Sequence, residues 1–469
     1  MLSEPSASAE TVLGRLAEGP RNRDLPVSLD AIRERELGRV ARHGIAYLDY
    51  AGSALYGDSQ IRAHHALLAR GIFGNPHSQH LPSEESSTLL ASARARVLQF
   101  LDAPAGDPDS YVVVFTANAS AAIKLIAESY PFGPHRGCVL SADNHNSVNG
   151  IREYARRANA ALAIIPLDEE LRLRAAEPIL SSAAANGPGL FAYPAQSNFS
   201  GVRQPLALVE RAHALGFDVL LDIAGYAPTH SFSLRACPAD FVALSFYKLF
   251  GYPTGLGALV ARRSALEKLR RPWFAGGTVE YASVAQARHR LRDAPDAFED
   301  GTPDFLSVAA LDAGFDLLAE AGFDRLGERL ELLTGELLRG LLSLRHASGA
   351  PRVAIYGPTT LRERGATVAF NLLDARGAVV PYEVVEQRAK AAGIAVRGGC
   401  FCNPGAAEAA FGFDPAETAR CFAALGDGFS IPAFRDCLAG GRAVGAVRVS
   451  LGLATTPGDL ERVLACCAG

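Results

Sequence analysis

The sequence predicts an α/β fold: a large domain with a mostly parallel sheet flanked by helices, followed by a smaller C-terminal α+β domain. Three observations predict it. Between residues 111 and 261, short apolar or β-branched runs alternate with stretches at helical spacing, the pattern of repeated βα units. After the acidic, proline-bearing segment at 299–304 that alternation stops and a long helical stretch begins. With 469 residues, 49% of them hydrophobic and 20% charged, the chain can bury one large core or two modest ones.

The elements follow in order. Residues 1–43 are polar and charged and read as an arm ending in a helix at 28–42. A short strand at 47–50 enters a turn at Ala51-Gly52, residues 74–78 form a loop, and 88–101 has helical spacing. Strands are expected at 111–115, 138–141, 161–166, 190–194, 218–223, 241–245 and 257–261, with helices at 120–130, 147–159, 171–184 and 206–215. Beyond the break come helical residues 306–342, strands at 353–356, 366–372, 394–397 and 447–451, and a last helix at 457–466. The expected division is an N-terminal arm at 1–45 packing with the small domain, a large domain at 46–305 and a small domain at 306–469.

Composition excludes several classes. A net charge of −4 gives no footprint for nucleic acid or an anionic membrane. The arginines at 262–263 and 270–271 read as a solvated helix face. Residues 1–30 lack the apolar core of a signal peptide, and no run approaches the roughly 18 apolar residues of a membrane span. The eight cysteines are dispersed, with no compact disulfide framework, which argues for a reducing compartment; the expected location is cytoplasmic. His64, His65, His77 and His80 read as surface or loop residues, no zinc-ligand spacing is found, and no metal is expected.

The most informative stretch is Ala243-Leu244-Ser245-Phe246-Tyr247-Lys248-Leu249-Phe250-Gly251. A buried-type strand ends in small and aromatic residues, with one lysine just before a glycine-rich turn. Only Lys124, Lys248, Lys268 and Lys390 are lysines, so this placement invites a chemical explanation. An amine there can form a Schiff base with an aldehyde, and pyridoxal phosphate is the usual one; a snorkelling lysine is the plain alternative.

Other polar residues also lie at expected strand ends. Thr116-Ala117-Asn118-Ala119-Ser120 opens a helix whose N–H groups can meet an anion, or is a simple cap. Asp222 ends an apolar strand and can pair a pyridinium nitrogen or a structural cation; Ala224 is small enough for a ring to lie over it. His145 can stack on a planar ring or move protons, and Asn198 can donate to a phenolate oxygen; either can instead serve a turn. Arg397-Gly398-Gly399-Cys400-Phe401-Cys402-Asn403-Pro404-Gly405 reads as a mobile loop carrying a thiol beside an arginine, which favours the thiolate. Arg448 lies inside an apolar strand and wants a carboxylate, from an amino-acid substrate or from an internal ion pair.

Five stretches together carry a resemblance. They are 143–148 (Asp-Asn-His-Asn-Ser-Val), 193–201 (Tyr-Pro-Ala-Gln-Ser-Asn-Phe-Ser-Gly), 245–255 around Lys248, 399–405 around Cys402, and 445–450 around Arg448. In this order, across roughly residues 46 to 460, the chain resembles the class V aminotransferase group of fold-type I pyridoxal-phosphate (PLP) enzymes, within it the cysteine desulfurases, and most closely the N-terminal desulfurase domain of molybdenum cofactor sulfurases.

The resemblance implies a fold-type I PLP-dependent transferase in which Lys248 is the Schiff-base lysine, Asp222 pairs the pyridine nitrogen, His145 stacks on the ring and Asn198 contacts the phenolic oxygen. Ser120, Ser245 and backbone near Ala119 would hold the phosphate, Arg448 the substrate carboxylate, and Cys402 the transferred sulfur, with Arg397 leading its loop. Thr278, after Gly277, would reach the partner subunit's phosphate in a homodimer.

Three departures stand out. Tyr247 precedes the lysine where many cysteine desulfurases carry histidine, and Gly225 stands where glutamine is common. The sequence ends at Gly469, without the molybdopterin-holding domain usual in cofactor sulfurases, so the sulfur acceptor stays open. The implied reaction converts L-cysteine to L-alanine with a persulfide on Cys402. A C–S lyase, aminotransferase or epimerase acting on another amino acid, or a non-catalytic sulfur-relay scaffold, are the alternatives.

Overall fold

A computed structural model describes residues 28–104, 110–438 and 442–469; most of the expected arm, residues 1–27, lies outside the described residues. The described part of the arm is the helix Ser28–Arg42, where Leu29 and Ile32 pack on Leu317 and Ala321. The strand β1 (Ala46–Tyr47) follows. The next seven strands are β2 (Tyr111–Thr116), β3 (Cys138–Ser141), β4 (Leu162–Ile165), β5 (Leu190–Pro194), β6 (Asp218–Asp222), β7 (Phe241–Ser245) and β8 (Gly257–Arg262).

These seven form one sheet in the order β2-β8-β7-β6-β5-β3-β4. The pairs from β7 through β6, β5 and β3 to β4 are parallel, and β8 runs antiparallel to both β7 and β2. Two reversals cancel, so β2 points the same way as β7. The carboxyl ends of β2, β3, β5, β6 and β7 therefore share one edge, where ligands of such folds bind.

Strand alternation sends side chains to two cores. Val113, Phe115, Val219 and Leu221 join a cluster on one face, and Val112, Val114 and Leu220 one on the other. Each fully buried Val or Leu contributes about 1.5–3 kcal/mol, so a strand sealed on both faces is continuously apolar. Gly251 ends the short helix Phe246–Phe250 at φ +79°, and a Cβ there would lie 2.3 Å from the Tyr56 nitrogen, so glycine is required on both counts.

After the hairpin β9 (Val279–Ser283) and β10 (Arg288–Leu291) come β11 (Val353–Tyr356), β12 (Thr367–Leu372), β13 (Ile394–Ala395), β14 (Arg397–Gly399) and β15 (Ala446–Ser450). An antiparallel sheet of order β11-β12-β15-β14 packs against the helices Phe323–Ser343 and Pro457–Ala468. β1 pairs in parallel with β13, and Asp49 forms an isolated bridge to Ser450, so the start of the described chain is woven into this second sheet.

Several local expectations are corrected. The helix expected at 171–184 starts only at Ala176, because the Asp168 Oδ1 accepts from the Glu170 and Arg172 N–H groups at 2.9 Å and fixes a turn there. The stretch 306–342 is three helices, Phe305–Val308, Leu311–Ala321 and Phe323–Ser343, the last two separated by Gly322 at φ +70°. The helix Asp58–Arg70 and the β9–β10 hairpin went unread, as did the helix pair Pro415–Leu425 and Ile431–Cys437.

Cys421 and Cys437 are disulfide-bonded, which runs against the reducing compartment read from dispersed cysteines: two helix faces bring together thiols 16 residues apart in sequence. His64 is buried, its ring nitrogens 2.6 Å from the Tyr252 hydroxyl and 2.9 Å from the Leu306 carbonyl. The Arg271 side chain is only 2% exposed and pairs with Asp300, so that arginine run is not a uniformly solvated face. No described helix is long and apolar enough to cross a membrane.

Candidate functional site

The shared strand edge places most of the singled-out residues together. Ser245 ends β7, and Lys248 sits in the one-turn helix that follows. Burial lowers the Lys248 pKa from the ordinary lysine value, while the Asp222 charge opposes that shift and the charges of Arg448, Cys402 and Arg397 also act on it. Five candidates from four stretches of the chain thus lie in one electrostatic neighbourhood. Among the described residues the Lys248 side chain has neither a hydrogen-bond nor an ion-pair partner, so its half-buried amine is unpaired.

Asp222, at the end of β6, is 8% exposed. Its Oδ1 accepts from the Ala224 N–H at 2.9 Å, and no cation pairs with it among the described residues. The structural salt bridge considered for it is absent there. His145 follows β3, and its Nδ1 accepts from the Ser147 N–H at 3.1 Å. That bond makes Nδ1 the acceptor and leaves Nε2 as the protonated nitrogen of a neutral ring. Burial, then the Lys248 charge, hold its pKa below the ordinary histidine value.

At the start of the helix Ala119–Ser129, Asn118 caps the Ala121 N–H at 2.9 Å. The Ala119 N–H donates to the Ser245 Oγ at 2.8 Å, and the Ser120 and Ser147 hydroxyls meet at 2.5 Å. A Cβ on Gly257 would lie 2.6 Å from the Asn118 backbone; this close approach of β8 sets the floor of the turn. Ala224 is 5% exposed beside Asp222.

Thr278 stands apart. It is 1% exposed, and its Oγ1 is spent on the Ala275 carbonyl at 2.8 Å and N–H at 2.9 Å within its own turn.

The thiol loop is pinned from several sides, unlike the mobile span its glycines suggested. Phe401 and Cys402 both adopt φ +56°, two successive left-handed non-glycine residues. The Asn146 N–H donates to the Cys402 carbonyl at 2.7 Å, and Asn198 Nδ2 to the Phe401 carbonyl at 2.6 Å. Asn403 Nδ2 reaches the Asp143 Oδ1 at 2.9 Å and the Asn198 Oδ1 at 3.1 Å, while its own Oδ1 caps the Ala406 N–H at 3.1 Å. The Cys402 side is exposed.

Asp143 is a residue that motif reading quoted without a role. Fully buried, it also accepts from Ser197 Oγ at 2.6 Å and Gln204 Nε2 at 2.7 Å; burial pushes its pKa up to about 6 against these three bonds. Its signal was weak: an acid beside Asn144 and His145 reads as turn chemistry.

Arg448, 2% exposed in β15, donates from Nη1 to the Asn198 carbonyl at 2.8 Å and from Nη2 to the Asp49 Oδ1 at 3.0 Å. Its Nε is buried without a partner, and its guanidinium carbon stands 4.7 Å from the centre of the Phe401 ring. Arg397 Nη2 meets the Asp49 Oδ2 at 2.6 Å. The internal ion pair weighed for Arg448 therefore exists, with Asp49, which the sequence offered only as part of a short strand. Among the described residues no cluster of three or more His, Cys, Asp or Glu side chains is arranged to hold a metal ion.

The Aminotransferase class-V family model matches residues 46–463. The human molybdenum cofactor sulfurase is 37% identical over 94% of this chain and 51% of its own length. The chain spans about half the length of the curated relatives it matches, 51% and 58% for the human and Arabidopsis thaliana proteins. An apo cysteine desulfurase from Thermococcus onnurineus superposes with a TM-score of 0.75 at 22% identity, covering 95% of this chain and 98% of that one. A C-DES mutant with glycine covalently linked to its PLP cofactor gives 0.68 at 17% identity, covering 93% and 98%. At those identities the solved structures speak for the fold alone. With a family match running over most of its length, the chain belongs to the aminotransferase class-V family.

Proposed function

We propose that this chain is a PLP-dependent cysteine desulfurase that converts L-cysteine and the Cys402 thiol into L-alanine and a Cys402 persulfide. One observation carries the reading: a half-buried amine and a buried carboxylate, Lys248 and Asp222, each lack an ion-pair partner among the described residues and share one neighbourhood with a thiol and an arginine. Each unmet group matches one part of the cofactor, so the residues fit it. Lys248 suits its aldehyde and Asp222 its pyridine nitrogen. The neutral His145 ring would suit its face, and Ala224 is small enough for the ring to lie over it. Ser120, Ser245 and the Ala119 end of the helix suit its phosphate. Asn198 has one amide hydrogen in use and one left for a phenolic oxygen.

When bound, PLP supplies an electron sink for the carbon bearing the substrate amine. The protein's own groups do the rest. Lys248, its pKa lowered by burial, is the amine that moves the α-proton. Asp222 would keep a proton on the ring nitrogen, and Arg448, with Arg397 beside it, would hold the substrate carboxylate. The Cys402 sulfur forms an S–S bond as the substrate Cβ–S bond breaks, and the carbon fragment leaves as alanine. Relatives named molybdenum cofactor sulfurase and structural neighbours named cysteine desulfurase support this reaction over transamination or epimerisation.

Finer features belong to the same proposal. The protein is a cytoplasmic homodimer, supported by an exposed Cys402 thiol that must stay reduced and by the exposed Tyr281 and Val284 of the hairpin beside Thr278. Residues 46–305 form the cofactor domain, 306–469 the thiol-loop domain, and 1–45 an arm.

The test is spectroscopic and chemical. Purified protein with PLP should absorb near about 400 nm. Lys248→Ala should lose that band, and Cys402→Ser should keep it while releasing no alanine from cysteine. Alanine release by Cys402→Ser at the wild-type rate overturns the thiol's role, and an unchanged band in Lys248→Ala overturns the cofactor's attachment.

A further inference from the structure

Arg397 and Arg448 are direct partners across the antiparallel β14–β15 pair, so two cations stand face to face. Like charges so placed repel. Asp49 lies between them, and its side chain is 13% exposed. Its Oδ1 takes Arg448 Nη2 at 3.0 Å, while Arg397 reaches both oxygens through Nε at 3.1 Å and Oδ2 through Nη2 at 2.6 Å.

The backbone that carries this carboxylate is fixed. The Gly52 and Ser53 N–H groups donate to the Asp49 main-chain carbonyl at 3.0 and 3.2 Å, and Ser450 Oγ accepts from the N–H of Ala51, two residues on, at 2.8 Å. A Cβ on Gly52 would lie 2.5 Å from the Asp49 Oδ2 and 2.6 Å from Arg397 Nη2, so this glycine leaves room for the ion pair.

A purely structural triad would leave no donor over. Here the Arg448 Nε is buried and unpartnered, and the triad keeps one net positive charge, two guanidiniums against one carboxylate.

We propose that Asp49 is the positioning and charge-setting residue of the substrate-carboxylate site: it fixes Arg448 and Arg397 and leaves one net positive charge and N–H donors to spare, the match for a single α-carboxylate. This rests on the amino-acid reading of the site given above. Substrates and inhibitors carrying one carboxylate at that end are accepted, and those presenting two are disfavoured.

The experiment compares propionate with malonate, equal in carbon number and differing by one carboxylate, as competitors of L-alanine binding to the PLP-loaded protein, read by calorimetry. Wild type should prefer propionate. In Asp49→Asn the triad's net charge rises by one, and the malonate-to-propionate affinity ratio should rise about tenfold, the size expected for one added charge at such a range. Asp49→Glu, which restores the charge, should return the ratio toward wild type and serves if the asparagine variant does not fold. A merely structural role would weaken both competitors alike and leave the ratio flat, which overturns the inference.

Arg448→Ala separates the two readings. If it abolishes L-alanine binding while Asp49→Asn leaves the ratio unchanged, only the role of Asp49 falls. If Arg448→Ala binds L-alanine like wild type, the carboxylate site itself falls.

Discussion

Asp143→Asn tests whether the buried acid at the centre of the thiol loop is ionised against its surroundings. Asp143 is fully buried, and its pKa is pushed from 3.8 up to about 6, by burial and in spite of three hydrogen bonds. That change in proton affinity corresponds to about 3 kcal/mol, at about 1.4 kcal/mol per factor of ten. Folding raises this pKa, so the folded protein holds the proton more tightly than the unfolded chain. The contribution is whole below pH about 4 and is lost as pH rises through about 6.

Asparagine does not titrate and keeps one oxygen to accept from Ser197 and Asn403, but it loses the acceptor for Gln204, a constant offset of about 1–3 kcal/mol. Urea unfolding followed by circular dichroism at pH 4, 5, 6 and 7.5 should therefore show the variant gaining about 2.4 kcal/mol on wild type from the lowest pH to the highest. A gap that changes by less than about 1 kcal/mol over this range would mean the Asp143 carboxyl titrates as it does in the unfolded chain, and the reasoning from desolvation fails.

Two further outcomes follow from the same geometry. Asn403→Ala removes a helix cap and the bond to Asp143 that pins the left-handed Phe401–Cys402 turn; stability should fall by about 0.5–2 kcal/mol, and Cys402 should alkylate with iodoacetamide several-fold faster, whereas an unchanged rate shows the turn is held without Asn403. Gly257→Ala drives a Cβ to 2.6 Å from the Asn118 backbone; overpacking there should cost about 1–3 kcal/mol and weaken PLP binding in a fluorescence titration, and unaltered affinity would detach the Asn118 turn from the phosphate.

Much of the site could be read from the chain because its chemistry is encoded locally. A βα unit puts its polar residues just past an apolar run, so Lys248, Asp222, His145, Asn198 and Ser120 each announce a strand end within a few residues. The alternation that fixes the strands is as local, and it placed the seven central strands. Capping and turn chemistry modified the helices where a single side chain, such as Asp168, outcompeted helical spacing.

What the sequence could not supply are pairings made across the chain. Asp49 meets Arg397 and Arg448 across 348 and 399 residues, and Asn403 meets Asp143 across 260. Nothing at either end of such a contact distinguishes a turn aspartate from the counter-charge of two opposed arginines. The bond between Cys421 and Cys437 depends likewise on how two helices fold against each other. Sequence alone determined which chemical groups stand at the strand ends, because periodicity and turn chemistry act between neighbours. Only the tertiary structure decided which charges are cancelled and which donors are left over, because burial and electrostatics act between groups brought together by the whole fold.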